Sequence, residues 1–209
     1  MKATPVGGVF AVEPMPVTEV VREASSQAWR IMYRSDGVHG TPIAVTGYLV
    51  VPRGARPEGG WPIIAWGHGT TGVGPDCALS RQPELGGYDS IIARFLRDGY
   101  AVVATDYAGL GLPGQLHNFL QKYTLARSMI DSVLAARNVS SEVGRQWFAA
   151  GHSEDGLPAL GAGEIATRRA PQLQFQGVVP VAIGGGSSPA WIDAMLIARS
   201  ESCPRCHHR

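Results

Sequence analysis

Apolar residues along this chain fall into two alternating patterns. Unbroken apolar runs such as PIIAW at Pro62–Trp66 and YAVVAT at Tyr100–Thr105 suit strands buried on both faces. Between them lie segments whose apolar positions recur at helical spacing. Tyr88–Asp98 carries Ile91, Ile92, Phe95 and Leu96 on one stripe and is closed by Gly99. Leu125–Ala136 repeats the pattern with Ala126, Met129, Ile130, Val133 and Leu134. Arg145–Ala150 is a further strand, Leu157–Arg168 a helix rich in small residues, and Val178–Ile183 the last strand. Ahead of these, Trp29–Tyr33 and Ile43–Val51 are β-rich, with Asp36-Gly37 between them, and predict an antiparallel pair.

From Pro62 onward the predicted order is β-α-β-α-β-α-β. Parallel strands need crossover connections, so the fold class is α/β, a mostly parallel sheet flanked by helices. The antiparallel pair decorates one edge. A length of 209 residues with 44% hydrophobic content fits one domain with a real core. Residues 1–199 read as that domain and 200–209 as a separate tail. A formal net charge of +1 gives no electrostatic reason to expect nucleic acid or an anionic membrane surface. No apolar run approaches the roughly 20 residues of a transmembrane helix. The N-terminal stretch MKATPVGGVFAVEPMP lacks the continuous apolar core of a secretory signal. Three cysteines, two of them at the extreme C-terminus, imply no disulfide framework.

The densest chemistry lies in FAAGHSEDG, Phe148–Gly156. An apolar strand runs into Gly151-His152-Ser153 and a helix follows, the setting of a nucleophile elbow that lifts a serine hydroxyl above the sheet. On that reading Ser153 attacks a carbonyl carbon, and the backbone N–H of Glu154 donates to the oxyanion. An ordinary strand–loop–helix junction would use the same residues. The pattern G-x-S-x-G asks for glycine where this chain has Asp155. A carboxylate about 7 Å from an oxyanion costs about 2 kcal/mol at an effective dielectric near 20. Pro158 removes an N–H early in the following helix. Upstream, PIIAW leads into Gly67-His68-Gly69-Thr70-Thr71-Gly72, a glycine-rich loop of the kind that supplies the second oxyanion donor. Thr70, directly after His-Gly, is the candidate for that donor. A turn needing positive-φ glycines would also account for the loop.

The blocks WPIIAWGHGTTGVGPDCALS, GYAVVATDYAGLGLPG, RSMIDSVLAARN and GHSEDG, preceded by YRSDGVHGTPIAVTGYLVVP, resemble the secretory lipase family of the α/β-hydrolases over roughly residues 10–195. The family includes fungal lipases of the Candida lipase A type and bacterial relatives. The resemblance implies hydrolysis of carboxylic esters, small or lipid, through a Ser-Asp-His triad with no metal or organic cofactor. It sets Ser153 on the nucleophile and Gly69–Thr70 on the oxyanion loop. It makes Cys77 structural and places Asp106-Tyr107 on a loop lining the site, with Tyr107 as a substrate-binding candidate. It also suggests export, against the missing signal. Glu154-Asp155 and Pro158 depart from the family, whose members carry small residues and an unbroken helix there.

In this fold the acid and base follow the nucleophile. Asp193, within AWIDAMLIA, and His207 and His208 at the terminus are weak candidates. His68 and His152 read as local structure. Both triad partners therefore stay unassigned, and no partner protein is indicated. The closing SESCPRCHHR no longer resembles the family, which suggests a truncation or a shifted frame. A catalytically inactive hydrolase-fold remnant is the alternative. Gly109–Gly114 formally spells G-x-G-x-x-G, but Pro113 stands where a dinucleotide-binding helix would open. Cys203-Pro204-Arg205-Cys206-His207 matches a haem-attachment or half-zinc pattern but lacks the remaining requirements of either.

Overall fold

The computed structural model describes residues 4–153 and 156–181. Seven strands form one sheet: β1 (Val9–Pro14), β2 (Ser25–Asp36), β3 (Pro42–Pro52), β4 (Trp61–Gly67), β5 (Ala101–Thr105), β6 (Val143–His152) and β7 (Gln174–Val181). The helices are α1 (Glu19–Ala24), α2 (Asp89–Arg97), α3 (Lys122–Val139) and α4 (Gly156–Arg169). Across the sheet the strand order is β1-β2-β3-β5-β4-β6-β7. The first three strands are antiparallel, and β3 meets β5 antiparallel. From β5 through β4 and β6 to β7 every pairing is parallel. The predicted β-α-β-α-β-α-β run is therefore β4 through β7, and the predicted edge pair is β2 with β3.

The apolar strands are continuous because both faces are covered. In β3, β4 and β5 alternate residues feed two cores. Leu49, Val51, Ile63, Ala65 and Val103 pack with Met129, Ile130 and Val133 of α3 and with the alanines of α4. Tyr48, Val50, Ile64, Trp66 and Val102 pack with Val21 of α1 and with Ile92, Phe95 and Leu96 of α2. The small residues of α4 bring it close to α3. A Cβ at Gly161 would lie 3.0 Å from Ala126 Cβ, so a larger side chain would push the helices apart.

Two details differ from the expectation. β1 and α1 carry no strong pattern and were not predicted: five of the six β1 residues are exposed and α1 has only six residues. The last strand begins at Gln174 instead of Val178, because its first residues alternate polar and apolar as the outermost strand of the described sheet. Pro158 lies within its helix, as the reading of Leu157–Arg168 expected. It is the third residue of α4, where the missing N–H has no intrahelical acceptor to lose.

One ionic network ties the helices to the sheet. The fully buried Asp131 of α3 accepts two hydrogen bonds from Arg169, at 2.9 and 2.7 Å, and one from Ser35 Oγ at 2.7 Å. Arg169, at the end of α4, also donates to Asp36 at 2.7 Å, and Asp36 accepts from Arg34. Burial pushes the Asp131 carboxyl above its ordinary value, and the hydrogen bonds and charge of Arg169 oppose that shift.

Candidate active site

Register between β4 and β6 builds the site. Gly67 at the end of β4 lies opposite Gly151 of β6, so the loops leaving the two strands emerge side by side. One chain continues through His68, Gly69 and Thr70, the other through His152 and Ser153. Ser153 has φ 56°, the left-handed region that a residue with a Cβ enters at a cost of about 1–3 kcal/mol. Its side chain is exposed. Glu154, the other candidate oxyanion donor, lies outside the described residues, as do Asp155, Asp193, His207, His208 and the tail cysteines.

Gly69 sits against the serine. A Cβ built on it would lie 3.4 Å from Ser153 Cβ, 3.2 Å from His152 Nδ1 and 3.0 Å from the Tyr88 hydroxyl. The Gly69 N–H donates to that hydroxyl at 3.0 Å, and the same oxygen is hydrogen-bonded to His152 Nδ1 at 2.8 Å. His68 Nδ1 lies 2.9 Å from the carbonyl oxygen of Gly69. Thr70 follows, exposed at the rim. The loop is then turned back by Thr71, whose hydroxyl donates to the Cys77 carbonyl at 2.8 Å, and by Gly72 at φ 129°, packed against the Cys77 sulfur.

Tyr107 stands at the end of β5 with φ 66° and is 1% exposed. Its ring packs on His68 at 5.5 Å and approaches His117 at 6.4 Å, so it backs the His68–Thr70 loop and presents almost no surface. Asp106 beside it is buried and accepts from Thr46 Oγ1, Ser80 Oγ and the Ser80 N–H at 2.6–2.9 Å. This carboxylate is committed to holding the loop at the end of β5. Gly109, Gly111 and Gly114 all adopt positive φ in an irregular stretch, and the next helix opens only at Lys122. That geometry suits a turn-rich loop and not a dinucleotide cradle.

Tyr88 was read from sequence only as the start of a helix. It is the residue that joins the two loops, and its separation from His152 by 64 positions leaves no local signal. The structure thus brings together Ser153, Gly69–Thr70, His152 and Tyr88, with His68 and Tyr107 behind them. Among the described residues, no group of three or more His, Cys, Asp or Glu side chains is gathered as a metal site. None of the described helices is long and apolar enough to cross a membrane.

A mostly parallel sheet with an antiparallel leading edge, a left-handed serine just past β6 and a glycine loop beside it from the paired β4 define an α/β-hydrolase fold. Within that class, the secretory lipase family model matches residues 84–195, more than half of the chain, and the chain belongs to that family. Among solved structures it is similar to the rice cell wall degrading esterase LipA from Xanthomonas oryzae. That match has a TM-score of 0.70 and 24% identity, over 84% of this chain and 50% of the esterase. Similarity to Candida antarctica lipase A in its closed state has a TM-score of 0.68 and 20% identity, over 84% of this chain and 42% of the lipase. The chain thus spans about half the length of these structures, and at such identities the likeness is one of fold. No curated protein matches the chain.

Proposed function

We propose that this chain carries the nucleophile and oxyanion loop of a serine carboxylic-ester hydrolase, with Ser153 as the attacking residue. The observation that carries the reading is the φ of 56° at Ser153, held beside Gly69 at the ends of two paired parallel strands. A strained, exposed serine at that place has its hydroxyl presented to a ligand above the sheet. Ser153 Oγ adds to the ester carbonyl carbon, and the carbonyl π electrons move to oxygen as its proton leaves to a base. The N–H groups of Thr70 and Glu154 receive the oxyanion. Collapse re-forms the carbonyl, expels the alcohol and leaves an acyl group on Ser153, which water then removes. Tyr107, buried behind His68, is assigned to supporting the loop ahead of touching substrate.

An inactive hydrolase fold is the second reading. Its support is Asp155, which stands where the G-x-S-x-G pattern asks for glycine. Fluorophosphonate labelling of the purified chain, with Ser153→Ala beside it, decides between the two. Labelling of the native chain alone is the expected result. Equal labelling of both proteins, or of neither, would sink the assignment of Ser153. Turnover of short-chain nitrophenyl esters, abolished in Ser153→Ala, would remove the inactive reading.

A further inference from the structure

We infer that Tyr88 is a positioning residue for the oxyanion loop, its hydroxyl joining the Gly69 peptide to His152 and so fixing the Thr70 N–H relative to Ser153. The inference rests on Ser153 being the nucleophile. It begins with the glycine. With Ser153 Cβ, His152 Nδ1 and the Tyr88 hydroxyl all within 3.4 Å of where its Cβ would be, position 69 is tight for any side chain. A glycine there is also the most conformationally free residue the loop could carry. Something else must hold its two peptide planes.

Two side chains do so. The Tyr88 oxygen accepts the Gly69 N–H at 3.0 Å, which fixes the His68–Gly69 peptide. His68 Nδ1, 2.9 Å from the Gly69 carbonyl oxygen, fixes the Gly69–Thr70 peptide. That peptide is trans, so its N–H, the Thr70 donor, points away from the His68 ring. Tyr88 then reaches the other loop through His152 Nδ1 at 2.8 Å, and His152 is the residue before the serine. The tyrosine ring is itself held edge-on by Trp66 at 5.4 Å and by His152 at 5.8 Å. A rigid aromatic at the start of α2 thus sets the spacing between the loop bearing Thr70 and the elbow. An oxyanion donor acts through being in place before charge develops, so its support matters for rate more than for substrate binding.

Tyr88→Phe keeps the ring contacts and removes only the bridging oxygen. On the full 209-residue chain, kcat for a short-chain nitrophenyl ester is expected to fall about tenfold or more while KM stays within about twofold. Fluorophosphonate inactivation should slow in parallel, with the thermal midpoint little changed. His152→Asn, which keeps a polar atom near the place of Nδ1, should recover rate relative to His152→Ala. Exchange of the Gly69 amide proton should quicken in Tyr88→Phe whether or not the chain turns over. A folded Tyr88→Phe with native kcat overturns the positioning role. Unchanged Gly69 exchange overturns the bridge itself. Failure of the native chain to label overturns Ser153 as nucleophile, and with it any catalytic role for the bridge.

Discussion

Replacing Arg169 with methionine tests how the helices are locked to the sheet. Asp131 is fully buried and receives two of its three hydrogen bonds from Arg169, leaving Ser35 as its remaining donor in the variant. Burial already raises the Asp131 carboxyl above 3.8, and without the guanidinium beside it the shift grows. The carboxylate can escape its unpaired state by taking up a proton. The electrostatic loss is therefore capped by the cost of protonating a group of ordinary pKa 3.8 at the working pH. That cap is about 4 kcal/mol at pH 7 and about 1.6 kcal/mol at pH 5. Losses of about 3–5 kcal/mol are usual when one partner of a buried pair is removed, which agrees with the neutral-pH figure. The sign follows from linkage. A folded-state pKa above the unfolded one means the native chain holds more protons between the two, so the variant regains stability as pH falls through that window. Urea unfolding followed by tryptophan fluorescence at the two pH values measures it. Adding Asp131→Leu should restore at least half of the loss at pH 7, because no buried charge is left behind. An equal loss at both pH values, or a loss under about 1 kcal/mol at pH 7, would refute the capped-charge account.

Ser153→Gly should stabilise the chain by about 1 kcal/mol in urea melts, because glycine accepts φ 56° freely, whereas Ser153→Ala should leave stability near native. Tyr33 and Tyr48 are fully buried, and desolvation raises both phenols well above 10. An ultraviolet titration should show them silent until the chain unfolds in alkali. Because the native state keeps both protons, stability should fall by about 2.7 kcal/mol per pH unit above pH 10. Gly47→Ala places a Cβ 2.1 Å from the Ala104 carbonyl oxygen, where β3 pairs with β5, so that strand pair must separate. A loss of about 3 kcal/mol or more, read as insoluble expression or a lowered urea midpoint, is expected.

The strands β4 and β5 were legible because a sheet covered on both faces leaves no polar alternation, and PIIAW or YAVVAT suits little else. The strand–turn–helix passage around Ser153 was legible because its residues are consecutive. What could not be read was carried by pairs distant in sequence. Arg169 and Asp36 are 133 positions apart, and Tyr88 and His152 are 64 apart. Tyr107 was assigned to a loop lining the site, which its place after β5 made reasonable. The His68 ring packs against it at a tilt, 5.5 Å between centroids, a contact the sequence does not announce.

Strain at the serine and order in its neighbour are two parts of one arrangement. A left-handed residue with a Cβ persists only where surrounding contacts over-determine it. Ser153 is held from below by the β4–β6 pairing that runs up to Gly67 and Gly151, and Gly69 flanks it, 3.4 Å from Ser153 Cβ to where a Gly69 Cβ would stand. The glycine that eases this approach would by itself leave the proposed oxyanion loop loose. Tyr88 and His68 supply the missing restraint from two different parts of the chain, one from α2 and one from the loop itself. The same logic locates the departure from the family pattern that matters. Pro158 falls where a helix tolerates it, so the weight rests on Glu154 and Asp155, the two acidic residues that follow the proposed nucleophile in sequence. Asp155→Gly should therefore speed fluorophosphonate labelling of Ser153 by about tenfold or more, the rate equivalent of removing about 2 kcal/mol of repulsion in the transition state. An unchanged labelling rate in a folded Asp155→Gly variant would place that carboxylate too far from the oxyanion to matter.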